Sequence, residues 1–143
     1  MADDRVLLVV APYYEDIAAQ LEQGAMRALA AVGLPWDRIG VPGAFEIPGA
    51  IAAAAKTGRY VGYVALGCVI RGETSHYDIV AGESARGLVD LAVQRGALIG
   101  NGILTTDTGA QARVRAAPDG KDKGGAAARA ALALLQLKAR LRS

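Results

Sequence analysis

Four apolar runs of strand length, each followed by a stretch of helical periodicity, restrict this chain to very few folds. Arg5-Val-Leu-Leu-Val-Val-Ala11 and Tyr60-Val-Gly-Tyr-Val-Ala-Leu-Gly-Cys-Val69 are apolar at nearly every position, as strands are when both faces of their sheet are covered. Trp36–Val41 and Ala97–Thr105 supply the second and fourth candidates. Strands alternating with helices in this way form a parallel sheet with right-handed crossovers. The expectation is one domain over residues 1–143: a three-layer α/β fold of flavodoxin-like type, with a four-stranded parallel sheet flanked by helices.

The intervening segments carry their own start and stop signals. From Asp16 to about Val32, the residues Ile17, Leu21, Ala25, Ala28, Leu29 and Val32 recur at three- and four-residue spacing, and Gly33 and Pro35 close that helix. Pro42-Gly-Ala-Phe-Glu-Ile-Pro48 reads as a turn entering a second helix, which reaches Lys56 before Gly58 stops it. Ser75 reads as the N-cap of a third helix, with Asp78 completing a capping box. That helix extends to about Arg95 and buries Val80, Leu88 and Leu91. The small residues Ala81, Gly82, Ser84, Ala85 and Gly87 between them would let another helix approach closely. A short helix over Thr108–Ala116, a Pro118-Asp-Gly-Lys-Asp122 loop and a last helix from about Lys123 to Leu141 complete the chain.

Composition matters here for what it excludes. The chain is 52% apolar over 143 residues, enough to bury a core. Sixteen basic against fourteen acidic residues leave a net charge of +2, which is no nucleic-acid footprint. The single cysteine excludes an internal disulfide and fits a reducing compartment. No apolar run approaches the ~18 residues of a membrane span, and the N-terminus lacks a signal-peptide pattern. The expectation is a cytoplasmic protein with neither nucleic-acid nor membrane partners.

Parallel strands point one way, so the turns after them share a rim of the sheet, where helix starts offer unpaired N–H groups to ligands. Tyr13 suits stacking on a flat heterocycle, or simply covers a helix end. The N–H groups around Ala44 to Glu46 can read ligand oxygens. Glu46 serves either as a hydroxyl acceptor or as a first-turn carboxylate on the helix dipole. Phe45, taken alone, reads rather as a core residue of the second helix. Gly72-Glu-Thr-Ser75 offers backbone donors and hydroxyls at a helix start, as an anion site requires. It is neither a G-x-G-x-x-G nor a Walker A sequence, and Gly120-Lys-Asp-Lys-Gly124 has the wrong spacing for a phosphate loop. His76, the only histidine, has the right chemistry for proton transfer near neutrality, or caps a helix structurally. Arg115 and Lys123 either neutralise a phosphate or are solvated charges. One histidine and one cysteine argue against a metal centre. Cys68 reads as a small apolar strand residue.

Together these stretches resemble the lumazine synthase family over nearly the whole chain. The resemblance is carried by Pro42-Gly-Ala-Phe-Glu-Ile-Pro48, Leu66-Gly-Cys-Val-Ile-Arg-Gly-Glu-Thr-Ser-His-Tyr-Asp78, Gly102-Ile-Leu-Thr-Thr-Asp107 and the segment from Gln111 to Gly124. It implies condensation of 5-amino-6-(D-ribitylamino)uracil with 3,4-dihydroxy-2-butanone 4-phosphate to 6,7-dimethyl-8-ribityllumazine, phosphate and water. No metal or organic cofactor is implied. By motif, Tyr13, Ala44, Phe45, Glu46, Cys68, Val69, Ile70 and Asn101 match the pyrimidine and ribityl site. Glu73, Thr74, Arg115 and Lys123 match the phosphosugar site, and His76 the proton-transfer histidine. The family's homopentamers, some assembled into sixty-subunit shells, place each site between neighbours, with Asn101, Arg115 and Lys123 coming from the adjacent subunit. The small-residue helix from Tyr77 is the expected interface.

The chain departs from many relatives at Pro12-Tyr13-Tyr14, which replaces Arg-Phe-Asn, and at Asn101, where some have phenylalanine. Two other readings compete: a riboflavin-synthase-like dismutase, which would need no phosphate apparatus, and a flavin or lumazine carrier or inactive shell protein, which would release no phosphate.

Overall fold

The structure, a computed structural model, describes residues 4–143. The described residues form β1 (Val6–Val10), α1 (Glu15–Ala31), β2 (Trp36–Gly40), a 3-10 turn (Ala44–Glu46), α2 (Ile47–Ala55), β3 (Gly62–Ile70), α3 (His76–Arg95), β4 (Ile99–Thr106), α4 (Gly109–Ala116) and α5 (Lys123–Arg142). The four strands make one sheet in the order β2-β1-β3-β4. Every pairing is parallel: Val6 lies beside both Trp36 and Gly62, and Tyr63 beside Ile99. This is the expected three-layer arrangement.

Two separate cores explain why the central strands are apolar throughout. On one face Leu8, Val10, Val64 and Leu66 pack with Ile17, Leu21 and Leu29 of α1 and with the alanines of α4 and α5. On the other, Leu7, Val9, Tyr63 and Ala65 meet Ile47 and Ile51 of α2 and Leu88 of α3. All five residues of β1 are buried, whereas β4 alternates, with Gly100, Gly102, Leu104 and Thr106 buried and Asn101 and Thr105 exposed. A strand covered on one face and open on the other gives that alternation.

Within the single chain, the closest helix packing lies outside α3. In α3, only Gly87 among the glycines is tight, since an added Cβ would lie 2.8 Å from Pro48, while Gly82 has nothing within 4 Å. The close seam is between α1 and α5. A Cβ on Gly124 would collide with the carbonyl of Leu21, and one on Gly24 with the carboxylate of Asp122. Asp122 adopts φ 47° and caps α5 by accepting from the N–H of Gly125 at 3.2 Å. Against the sheet, Gly100 admits the backbone of α5 at Ala127. Among the described residues, no helix is long and apolar enough to cross a membrane.

Candidate functional site

Three strand ends reach one rim, and the residues after them lie beside helix starts. β1 delivers Tyr13 and Tyr14, β3 delivers Ile70 and the turn to His76, and the segment after β2 leads into the 3-10 turn at Ala44. Tyr13 is 76% exposed and meets Tyr14 edge-on, with ring centroids 4.9 Å apart. One broad face of Tyr13 is therefore open to stack on a planar ligand. Tyr14 is half-buried against the first core, and burial raises its phenol pKa above the ordinary value.

Phe45 is 54% exposed, which corrects the reading of it as a core residue. The single 3-10 turn offsets it from the helical face that buries Ala44, Ile47 and Ile51, and leaves its ring at the rim. Glu46 is exposed, and its N–H donates to Gly43 O at 3.1 Å. Its carboxylate folds over Gly43, where an added Cβ would stand 3.3 Å from Oε1.

The third turn also differs from expectation. Ser75 precedes α3, but its hydroxyl makes no capping bond because its backbone (φ −72°, ψ 0°) already curves into the helix. Thr74 takes over, its Oγ1 accepting from the N–H of His76 at 3.3 Å. No capping box forms: Asp78 turns instead toward Arg71, with 3.6 Å between Oδ1 and Nη1. Glu73, Thr74, Ser75 and His76 are all exposed, and among the described residues His76 and Glu73 have no ion-pair partner.

At the end of β3, Val69 is buried, and Cys68 and Ile70 are half-buried. Burial pushes the Cys68 thiol up to about 11, against the opposing hydrogen bond with Thr106, so it is no thiolate nucleophile at neutral pH. Asn101, on the open face of β4, accepts from the N–H of Ile103 through Oδ1 at 2.9 Å. Its side chain thereby occupies one donor of the sheet's edge strand. Arg115 donates Nη1 to Gln111 O at 3.0 Å, and Lys123 is exposed at the first turn of α5. In the preceding loop the N–H groups of Gly120, Lys121 and Asp122 go to Ala117, Val114 and Ala117 carbonyls, which leaves none of those three for an anion.

Within one chain, the structure brings Tyr13, the Ala44–Glu46 turn, the end of β3 and the Glu73–His76 turn to a common rim. It leaves Asn101 on the open face of β4, and Arg115 and Lys123 on helices of the opposite layer. Against this geometry, the model of one family, 6,7-dimethyl-8-ribityllumazine synthase, matches residues 3–139. The chain belongs to that family. Relatives bearing the name 6,7-dimethyl-8-ribityllumazine synthase include one from Methylobacterium radiotolerans, 56% identical over 96% of this chain and 84% of its own length. Another, from Novosphingobium aromaticivorans, is 56% identical over 95% of this chain and 97% of its own. A third, from Afipia carboxidovorans, is 52% identical over 96% of this chain and 87% of its own.

Residue types alone did not single out Arg71. It lies in the Leu66–Asp78 stretch that carries the resemblance, its side chain bonds Asp107 at 3.0 Å, and its guanidinium lies 4.3 Å over the Tyr77 ring. The available signal was an arginine at the strand end, seven residues ahead of the helix-start Asp78.

Proposed function

We propose that this chain condenses 5-amino-6-(D-ribitylamino)uracil with 3,4-dihydroxy-2-butanone 4-phosphate to give 6,7-dimethyl-8-ribityllumazine, with release of phosphate and water. The observation that carries the reading is the shared rim, where an open tyrosine face, the Ala44–Glu46 backbone and a donor-rich turn beside the only histidine converge in a member of the lumazine synthase family.

The roles follow from the chemistry. Tyr13 and Phe45 cover the pyrimidine ring, with Cys68, Val69 and Ile70 as its apolar floor. Ala44 and Glu46 hold the ribityl hydroxyls. An amine attacks the ketone to form a Schiff base, phosphate leaves by elimination, and the second amine closes the ring. His76 moves protons between these steps. Glu73 and Thr74 lie along the phosphate turn, and Arg115 and Lys123 supply positive charge to the leaving dianion. Fixing two substrates in one geometry removes much of the entropic barrier, and donors aimed at the departing oxyanion lower the rest.

Completion of the site by an adjacent subunit is part of the proposal. α3 exposes Ile79 (55%), Val89 (58%) and Val93 (78%) along one side. An adjoining groove of about 320 Å³ runs between α3 and the open face of β4, lined by Gly82, Ala85, Asn101 and Ile103. An apolar stripe beside an uncovered strand suits a heterologous contact that closes into a ring, and the family resemblance supports a homopentamer for that ring. Asn101, Arg115 and Lys123 then enter the neighbour's site. One domain working in the cytoplasm, with Cys68 as a free thiol, completes the reading.

The test is to mix both substrates with the purified protein and follow inorganic phosphate and lumazine together. Equimolar appearance of the two supports the proposal. Binding of the pyrimidine without phosphate release would mark a carrier, and riboflavin formed from lumazine alone would mark the dismutase.

A further inference from the structure

The turn Gly72-Glu73-Thr74-Ser75 is exposed throughout, and its side chains make a single hydrogen bond among the described residues, from the N–H of His76 to Thr74. A segment so lightly tied samples many conformations unless its ends are fixed. Arg71 fixes both ends. Its backbone N–H donates to Thr106 O at 2.9 Å, extending the β3–β4 ladder by one rung. Its Nε donates to Asp107 Oδ1 at 3.0 Å. Its Nη1 stands 3.6 Å from Asp78 in the first turn of α3, and its guanidinium carbon lies 4.3 Å from the Tyr77 ring centroid. Asp107 is itself held, donating its N–H to Gln111 Oε1 at 2.8 Å. One side chain thus ties the end of β3 to the end of β4 and the start of α3, between which the turn is strung.

The same contacts separate Arg71 from a phosphate ligand. Its charge faces two carboxylates and its flat face a tyrosine, so the guanidinium is committed to protein partners. Arg115, by contrast, has its guanidinium hydrogen-bonded to a backbone carbonyl and no carboxylate within ion-pair distance among the described residues.

We infer that Arg71 is a positioning residue for the phosphosugar: gripped by Asp78, Asp107 and Tyr77, it holds the 72–75 turn and His76 in one geometry toward the phosphate. This rests on the reading of that turn as the phosphate site.

The sign of one effect decides. Removing a carboxylate near a dianion site reduces repulsion, and by itself tightens phosphosugar binding. If Asp78 and Asp107 act through Arg71, removing them loosens the turn and weakens binding instead. Asp78→Asn with Asp107→Asn, and separately Arg71→Lys, are expected to raise the phosphosugar KM roughly tenfold, as a misplaced binding group does, with the pyrimidine KM within about twofold and Tm near wild type. Asp107→Glu should recover most of the loss. An unchanged or lowered phosphosugar KM in the double asparagine variant overturns the inference, as do equal increases for both substrates. Thr74→Ala, assayed alongside, distinguishes the failures. A raised phosphosugar KM there with none in the Arg71 and aspartate variants removes the clamp alone. No change there removes the phosphate reading of the turn and this inference with it.

Discussion

His76 and Arg115 belong to opposite faces of the same sheet. His76 opens α3, whose Leu88 packs with Ile47 and Ile51 of α2, while Arg115 lies on α4, whose Ala112 and Ala116 pack with Ile17 and Leu21 of α1. On the proposed roles, an imidazole that moves protons and a guanidinium that holds the phosphate, set on opposite faces of the sheet, serve one substrate most directly when each completes a site with a neighbouring chain.

That arrangement predicts complementation. His76→Ala and Arg115→Ala are each expected to have little activity. Unfolded together at equal concentration and refolded as mixed rings, they should regenerate sites in which one chain supplies His76 and its neighbour Arg115. Random mixing in a heterologous ring makes about one quarter of the sites fully wild type, so activity should return to about that fraction. Activity that stays at the level of the single variants would mean that both residues serve within one chain.

The same two variants should fail differently. Arg115→Ala is expected to raise the phosphosugar KM by about tenfold or more while leaving the pyrimidine KM close to wild type, because in its proposed role the lost charge serves only the phosphate. His76→Ala should lower kcat by roughly 10²-fold with pyrimidine binding intact. Steady-state kinetics with each substrate varied in turn reads both. Equal KM effects on the two substrates would remove Arg115 from its role.

Gly82 offers a test of the assembly that leaves the chain's own packing alone. Nothing lies within 4 Å of where its Cβ would be and the residue is exposed, so a side chain can leave the backbone there without meeting the chain's own atoms. The residue lines the groove between α3 and β4, which a neighbouring subunit would fill. Gly82→Leu should therefore shift the protein from pentamer to smaller species in light scattering, with the secondary structure retained. A pentamer unaltered by leucine at this position would place the interface on another face.

The strands, the layer order and the rim were legible in the sequence because each rests on local pattern. An all-apolar β1 means two covered faces, and a glycine or proline after each of α1 to α4 marks its end. What escaped was decided by contacts between segments far apart in the chain. Phe45 looked like core because a large apolar ring at the entry to a helix usually packs inward, and a single 3-10 turn changes which side it faces. The Ser75–Asp78 box satisfied a spacing rule, but Asp78 has a stronger partner in Arg71, which no rule of neighbouring residues considers. The tight helix pair within the chain, α1 with α5, joins glycines a hundred residues apart, which no local pattern announces. The proposed entry of Asn101, Arg115 and Lys123 into a neighbour's site involves other chains, and a single sequence pattern carries that only through family resemblance.

The α1–α5 seam gives a stability prediction. Gly124→Ala drives a methyl group into the Leu21 carbonyl, and backbone on both sides leaves little to yield. The variant should lose about 1–3 kcal/mol, the usual cost of overpacking. Gly49, in the exposed part of α2 with nothing within 4 Å, is the control, since alanine there should gain up to ~1 kcal/mol from helix propensity. Urea unfolding of both variants measures the difference, and equal stability would deny the seam its close contact.

Cys68 ties stability to alkaline pH. Burial lifts its pKa from 9.0 to about 11, so between those values the unfolded chain loses a thiol proton that the folded chain keeps. The folded state then binds more protons than the unfolded state, and stability falls as pH rises. The contribution is constant below about pH 9 and declines from there to about pH 11. Cys68→Ala lacks the titration, so its stability relative to wild type should improve steadily across that window and be flat between pH 7 and 8. The same raised pKa predicts slow alkylation of native Cys68 by iodoacetamide at pH 8, with rapid labelling once the protein is unfolded, because the thiolate is the reacting species. Labelling of the native protein as fast as that of the unfolded chain would mean that the thiol is neither buried nor held protonated by the fold.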